Sequence, residues 1–164
     1  MRMRSRPFSV RSAAITDAQA LAALCAQAQH PVSIDEVATR LALITQQGGM
    51  VLVAIGEDQR VLALLHVTAH YSLGLRPVAE ICGLLVDHSA RGEHIGTALL
   101  AAAEIWAHKK GLSEMLVNSN LVRDDALAFY CRSGYTHTRE QLQFRKEIAS
   151  GNLVAAVGLP EAAV

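Results

Sequence analysis

The stretch Arg91-Gly92-Glu93-His94-Ile95-Gly96-Thr97 follows an apolar run that ends at Asp87. It leads into Ile95, Leu99, Ala102, Ala103 and Trp106, which are spaced as the inward face of a helix. A strand–turn–helix junction leaves the amides of the first helical turn without intrahelical acceptors. Together with the positive end of the helix dipole, those amides make an anion site. Gly92 and Gly96 carry no Cβ, so a phosphate can come close to the backbone. Two common phosphate loops are excluded. No Gly-Lys-Ser/Thr ending is present to make a Walker loop, and the glycine spacing is not that of a dinucleotide fingerprint. A second chemical candidate is Glu80, set among Val78, Ala79, Ile81 and Cys82. Desolvation there would make its carboxylate a stronger base. The plain alternative is a glutamate that faces solvent or pairs structurally with an arginine.

The elements that must hold these groups can be read from spacing. Phe8 to Ser12 reads as an edge strand. Thr16-x-x-Gln19 reads as a capping box opening a helix with Leu21, Leu24, Cys25 and Ala28 inward, ending before Pro31. Ser33-x-x-Glu36 is a second box, followed by Ile34, Val37, Leu41 and Ile44 and stopped by Gly48-Gly49. Met50 to Ile55 and Val61 to Tyr71 form a hairpin around Glu57-Asp58-Gln59. After a loop from Leu73 to Pro77, Val78 to Val86 is the central strand, apolar enough to be buried on both faces. The helix from Ile95 runs to Lys110, Glu114 to Asn118 is a further strand, and Asp124 to Arg132 is a short helix. Thr136 to Thr138 with Leu142 to Lys146 would close the sheet as a hairpin. This order predicts a single α/β domain over residues 8–148, between a tail at 1–7 and a tail at 149–164. Its sheet is mixed, mostly antiparallel, of about six to seven strands with helices on both faces.

At 164 residues the chain fits one domain with a substantial core. No apolar run approaches membrane-spanning length, and the formal net charge of 0 indicates neither nucleic-acid nor anionic-membrane binding. Cys25, Cys82 and Cys131 lack metal-ligand spacing and suit free thiols in a reducing compartment. Arg2, Arg4, Arg6 and Arg11 precede the first acid, as in a targeting peptide, but Asp17, Gln19 and Gln27 interrupt any apolar core for one. A cytoplasmic protein is expected. His66 and His70 share a strand face but lie about 13 Å apart, too far to chelate one metal. A surface position or a place in a substrate pocket suits them better, and no metal site is expected.

Two separated segments resemble the GNAT superfamily of N-acetyltransferases. The family's pyrophosphate loop reads Arg/Gln-x-x-Gly-x-Gly/Ala; Arg91, His94 and Gly96 take the Arg and the two Gly positions, so His94 departs from the pattern. Downstream, Asp125-Ala126-Leu127-Ala128-Phe129-Tyr130-Cys131-Arg132-Ser133-Gly134-Tyr135 is similar to the family's Ala-x-x-Phe-Tyr-x-x-x-Gly-Tyr/Phe segment. The resemblance runs from about Val10 to Glu147. It implies a GNAT-like fold whose central strand and the strand from Glu114 splay apart, with the pantetheine arm of acetyl-CoA in the opening.

The resemblance also implies roles. The amides of Glu93, His94, Ile95, Gly96 and Thr97, beside Gly92, would hold the pyrophosphate, with the Arg91 side chain adding charge-assisted bonds. Val78-Ala79-Glu80-Ile81 resembles members that use this Glu as general base, and Tyr130 stands where the family's general acid for the leaving thiolate is found. An irregular central strand would free the amide of Leu85 or Val86 for the oxyanion. Arg123 replaces the family's Asn three residues before the motif Ala, so Asn118 or Asn120 would contact the pantetheine instead, while Arg123 would contact a phosphate of the cofactor or simply be solvated. The expected activity is acetyl transfer from acetyl-CoA to a primary amine, on a small molecule or a peptide, by direct attack. The alternative is a non-catalytic acetyl-CoA-binding sensor or structural module, which His94 and Arg123 favour and Glu80 and Tyr130 oppose. The resemblance leaves a homodimer open.

Overall fold

The structure is a computed structural model that describes residues 6–118, 124–138 and 143–148. Five strands, β1 (Phe8–Ser12), β2 (Met50–Gly56), β3 (Val61–His70), β4 (Val78–Val86) and β5 (Met115–Val117), lie in the order β1-β2-β3-β4-β5. The first four are antiparallel neighbours and β5 runs parallel to β4. The helices are α1 (Ala18–Gln27), α2 (Ile34–Gln46), α3 (Ile95–Lys109) and α4 (Asp124–Arg132). The chain divides into two compact units, residues 1–126 and 127–164; α4 begins in the first and continues in the second. No described helix is long and apolar enough to cross a membrane.

Strand alternation gives the sheet two apolar faces. Val53, Ile55 and Leu64 pack with Ala18, Leu21 and Leu24 of α1 and Val37 and Leu41 of α2. Leu52, Ala54, Leu65, Val67, Ala79 and Ile81, all buried, lie on the opposite face by register. This face is covered by α3, which packs against β1 to β4 and buries Ile95, Leu99, Leu100, Ala103 and Ala107.

Capping follows the sequence at α2 but not at α1. Ser33 Oγ accepts from the Glu36 amide at 3.2 Å, and the Glu36 carboxylate accepts from the Ser33 amide at 3.1 Å. The box expected at Thr16 does not form. A 3-10 turn over Ile15–Asp17 precedes α1, and Asp17 takes the organising role. Its carboxylate accepts from the Ala14 amide at 2.7 Å and from both ends of the Arg11 guanidinium at 2.7 and 2.9 Å. Thr16 lies inside that turn and so is not at a cap position.

The sheet also differs from expectation at two places. Residues 136–138 and 143–148 are exposed and carry no strand, while residues 139–142 of the expected hairpin lie outside the described residues. Phe144 is 90% exposed, so no packed face favours a ladder there. The central strand is not buried on both faces. Ala79 and Ile81 are, but Cys82 is exposed and Gly83 to Val86 are half-buried. The ladder to β5 ends beside Ile81, so among the described residues the second half of β4 has a strand neighbour on one side only.

Candidate active site

The connection from β4 to α3 is built on Asp87. Its carboxylate accepts from Ser89 Oγ at 2.6 Å, the Ser89 amide at 2.8 Å and Gln27 Nε2 at 2.9 Å. The Gln27 side-chain oxygen in turn accepts from the His88 amide at 3.2 Å. These donors hold the Asp87 carboxyl at about 2, below its ordinary 3.8. A carboxylate depressed in the folded state stabilises it above the ordinary value, and that contribution is lost as pH falls toward 2. Asp87→Asn is therefore expected to cost about 1–2 kcal/mol at pH 7, after allowance for solvent screening, and progressively less as pH falls through 3.8 toward 2. Urea unfolding at several pH values measures this.

Beyond this turn the backbone opens. None of the amides of Glu93, His94, Ile95, Gly96 and Thr97 donates to a described residue; Ala98 is the first to find an acceptor, the His94 carbonyl at 3.1 Å. Gly92 has φ +79° and nothing within 4 Å of where a Cβ would sit. His94 has φ +62°. The departure from glycine at position 94 thus keeps the left-handed backbone, which His visits more readily than most residues. Glu93 lies at the same place, with Oε1 3.9 Å from the Arg6 guanidinium and Oε2 buried without a hydrogen-bond partner among the described residues. Arg91 is exposed.

The half of β4 leading to this loop also offers unpaired backbone. Gly83 lies opposite His66 and Ile81 opposite Val67, so Cys82 is an extra residue, a bulge. The Asp87 amide donates to Leu62 at 2.8 Å, and antiparallel alternation then turns the amides of Leu85 and Gly83 toward β3. Those of Leu84 and Val86 point the other way, to the side β5 has vacated. Of the two expected donors, Val86 has this orientation and Leu85 does not. Leu84 was missed; Gly83, a glycine inside a strand, is the signal that a bulge resets the alternation there.

Glu80 sits on the first half of β4, with its side chain 21% exposed. Its Oε1 accepts from Asn118 Nδ2 at 2.7 Å, and its Oε2 lies 2.8 Å from His70 Nε2. His66 and Thr68 share the sheet face of Glu80 by register. The His66 imidazole is half-buried, and burial pushes it below its ordinary 6.5. So the structure joins Glu80, His70 and Asn118, whereas Asn120 and Arg123 lie outside the described residues.

In the second unit, Tyr130 packs edge-on between Phe129 and Tyr135, with ring centroids at 5.1 and 5.6 Å. The Tyr135 amide closes the helix end on the Tyr130 carbonyl at 3.0 Å, across Gly134 at φ +90°. Burial pushes the Tyr130 phenol above its ordinary 10.0, so it remains a protonated donor. Cys82 and Cys131 are exposed free thiols. No group of three or more metal-ligating side chains occurs among the described residues.

Comparison with known proteins bears on this geometry. The model of the Acetyltransferase (GNAT) family matches residues 17–135. The chain is 29% identical over 122 residues to the aminoglycoside N(6')-acetyltransferase type 1 of Klebsiella aerogenes, covering 69% of this chain and 76% of that protein. It is 30% identical over 118 residues to the uncharacterized N-acetyltransferase YhdJ of Bacillus subtilis, covering 71% and 82%. In fold it is similar to the aminoglycoside N-acetyltransferase AAC(6')-Iy in complex with CoA, with a TM-score of 0.77 and 20% identity over 90% of this chain and 100% of that one. A family match over most of the length, on a sheet whose fourth strand opens beside a run of unpaired amides, places this chain in the acetyltransferase (GNAT) family, the enzymes that move an acetyl group from acetyl-CoA to an amine.

Proposed function

We propose that Glu80 and Tyr130 carry the proton transfers of this N-acetyltransferase, and that its acceptor is a small-molecule primary amine. The observation that supports the reading most directly is the row of amides from Glu93 to Thr97 that donate to no described residue, continuous in sequence with the half of β4 that pairs with β3 but lies beyond the end of β5. The donor set fits a diphosphate: several N–H groups at a helix start, a glycine with open space around it, and no acid hydrogen-bonded to the amides. Acetyl-CoA supplies the activated thioester carbonyl. The amides of residues 93–97 and the Arg91 guanidinium would hold its pyrophosphate, and the outward amides of Leu84 and Val86 would offer hydrogen bonds to the carbonyl oxygen.

Glu80 receives a proton from the acceptor ammonium at a carboxylate oxygen, which frees the nitrogen lone pair for direct attack. Tyr130 gives its phenolic proton to the departing sulfur. No side chain forms a covalent bond in this scheme, so the exposed Cys131 is a bystander. Support for a small-molecule acceptor comes from the relative named for aminoglycosides. The free cysteines support a reducing compartment, the cytoplasm.

The test is thiol release from acetyl-CoA with purified protein and a panel holding an aminoglycoside, a polyamine, an aminoalkylphosphonate, a lysine peptide and a free peptide N-terminus. Turnover on a small amine supports the proposal; turnover confined to peptides overturns the acceptor class. Gly92→Val probes the loop. A β-branched residue at φ +79° is strained by about 1–2 kcal/mol. The variant is expected to weaken acetyl-CoA binding by about tenfold or more in titration calorimetry.

A further inference from the structure

Glu80 is gripped from both sides, and the grip comes from three strands. Thr68 faces Glu80 across β3 and β4, and His70, two residues on, ends β3. Leu116 is level with Glu80 on β5, and Asn118 follows two residues later, just past the last pair of the ladder at Val117. Period two puts all of these on one sheet face. His70 Nε2 lies 2.8 Å from Glu80 Oε2, and Asn118 Nδ2 donates to Oε1 at 2.7 Å.

We propose that His70 and Asn118 are positioning residues for Glu80, holding its carboxylate in one plane so that its remaining acceptor sites meet the acceptor amine. The proposal rests on the reading of Glu80 as the base. Each carboxylate oxygen has about two acceptor sites. One on each oxygen is occupied, and one on each is left for an incoming N–H. A carboxylate at the end of a flexible side chain would otherwise sample rotamers, and reaction rates are sensitive to ångström-scale misplacement. A purely structural purpose explains the arrangement poorly. The His70 side chain is 60% exposed, and exposed ion pairs contribute little to stability. The assignment also changes the expected role of Asn118, whose amide is directed at Glu80 rather than reserved for pantetheine.

The experiment is steady-state kinetics with an amine identified from the panel, together with thermal melts, on His70→Ala, His70→Gln, Asn118→Ala and Glu80→Gln. His70→Ala and Asn118→Ala should each lower kcat/KM for the amine by about ten- to thirtyfold. The acetyl-CoA KM should stay within twofold, and the melting temperature should move little. His70→Gln, which keeps an N–H donor at similar reach, should recover most of the loss. If both alanine variants match wild type while Glu80→Gln is inactive, the positioning role is overturned and Glu80 stands as the base. A parallel rise in acetyl-CoA KM in Asn118→Ala overturns it too, returning that amide to cosubstrate binding. If Glu80→Gln turns over like wild type, the base itself is wrong and the positioning role falls with it.

Discussion

Glu80→Gln is expected to lower kcat for the amine by about a hundredfold or more, while acetyl-CoA affinity stays within twofold. Glutamine matches the shape of glutamate but neither takes the ammonium's proton nor offsets its charge. The NH2 of the substituted side chain would also confront one of the two donors, His70 or Asn118, that now meet carboxylate oxygens. A thermal melt run beside the kinetics separates that local cost from the loss of chemistry. A variant that keeps its rate would hand the proton to water and remove Glu80 from the mechanism.

Tyr130→Phe is expected to lower kcat by about a hundredfold with acetyl-CoA affinity intact. The phenylalanine ring keeps the edge-on contacts with Phe129 and Tyr135, so packing survives. Burial raises this phenol above 10.0 by penalising the phenolate. The proton donor therefore persists through the whole neutral and mildly alkaline range. The alkaline fall in kcat that reports its ionisation should lie above pH 10 in wild type and be missing in the phenylalanine variant. A calorimetric titration in which acetyl-CoA binds Tyr130→Phe as weakly as turnover is lost would make the phenol a binding group.

Much of the site was legible because its determinants are local. Unpaired amides at a helix start follow from helix geometry wherever a strand turns into a helix, and Gly92 next to Arg91 marks the turn. Ser33 and Glu36 are three residues apart, so their reciprocal cap needs nothing from the rest of the chain. Thr16 is no cap because it lies inside the 3-10 turn before α1, where Asp17 draws on Arg11 from the preceding strand, a contact that spacing within a helix does not reveal. His94 departs from a glycine pattern, and its backbone at φ +62° lies in the left-handed region that favours glycine.

The residues around Glu80 belong to another category. His70, Glu80 and Asn118 meet only because β3 pairs antiparallel and β5 parallel with β4, in registers that bring distant positions level. A one-residue slip in either ladder would turn a partner to the opposite face. The bulge at Cys82 works in the same way, deciding which amides of Gly83 to Val86 point outward. The sequence marked the open helix start at 91–97 directly, because the peptide backbone imposes that geometry on residues a few positions apart; the acetyltransferase activity and the candidate acid and base at Tyr130 and Glu80 came from its resemblance to a known family. The tertiary structure alone decided what holds Glu80 and which amides of β4 are free, because strand register is a property of whole packed faces and of no single segment.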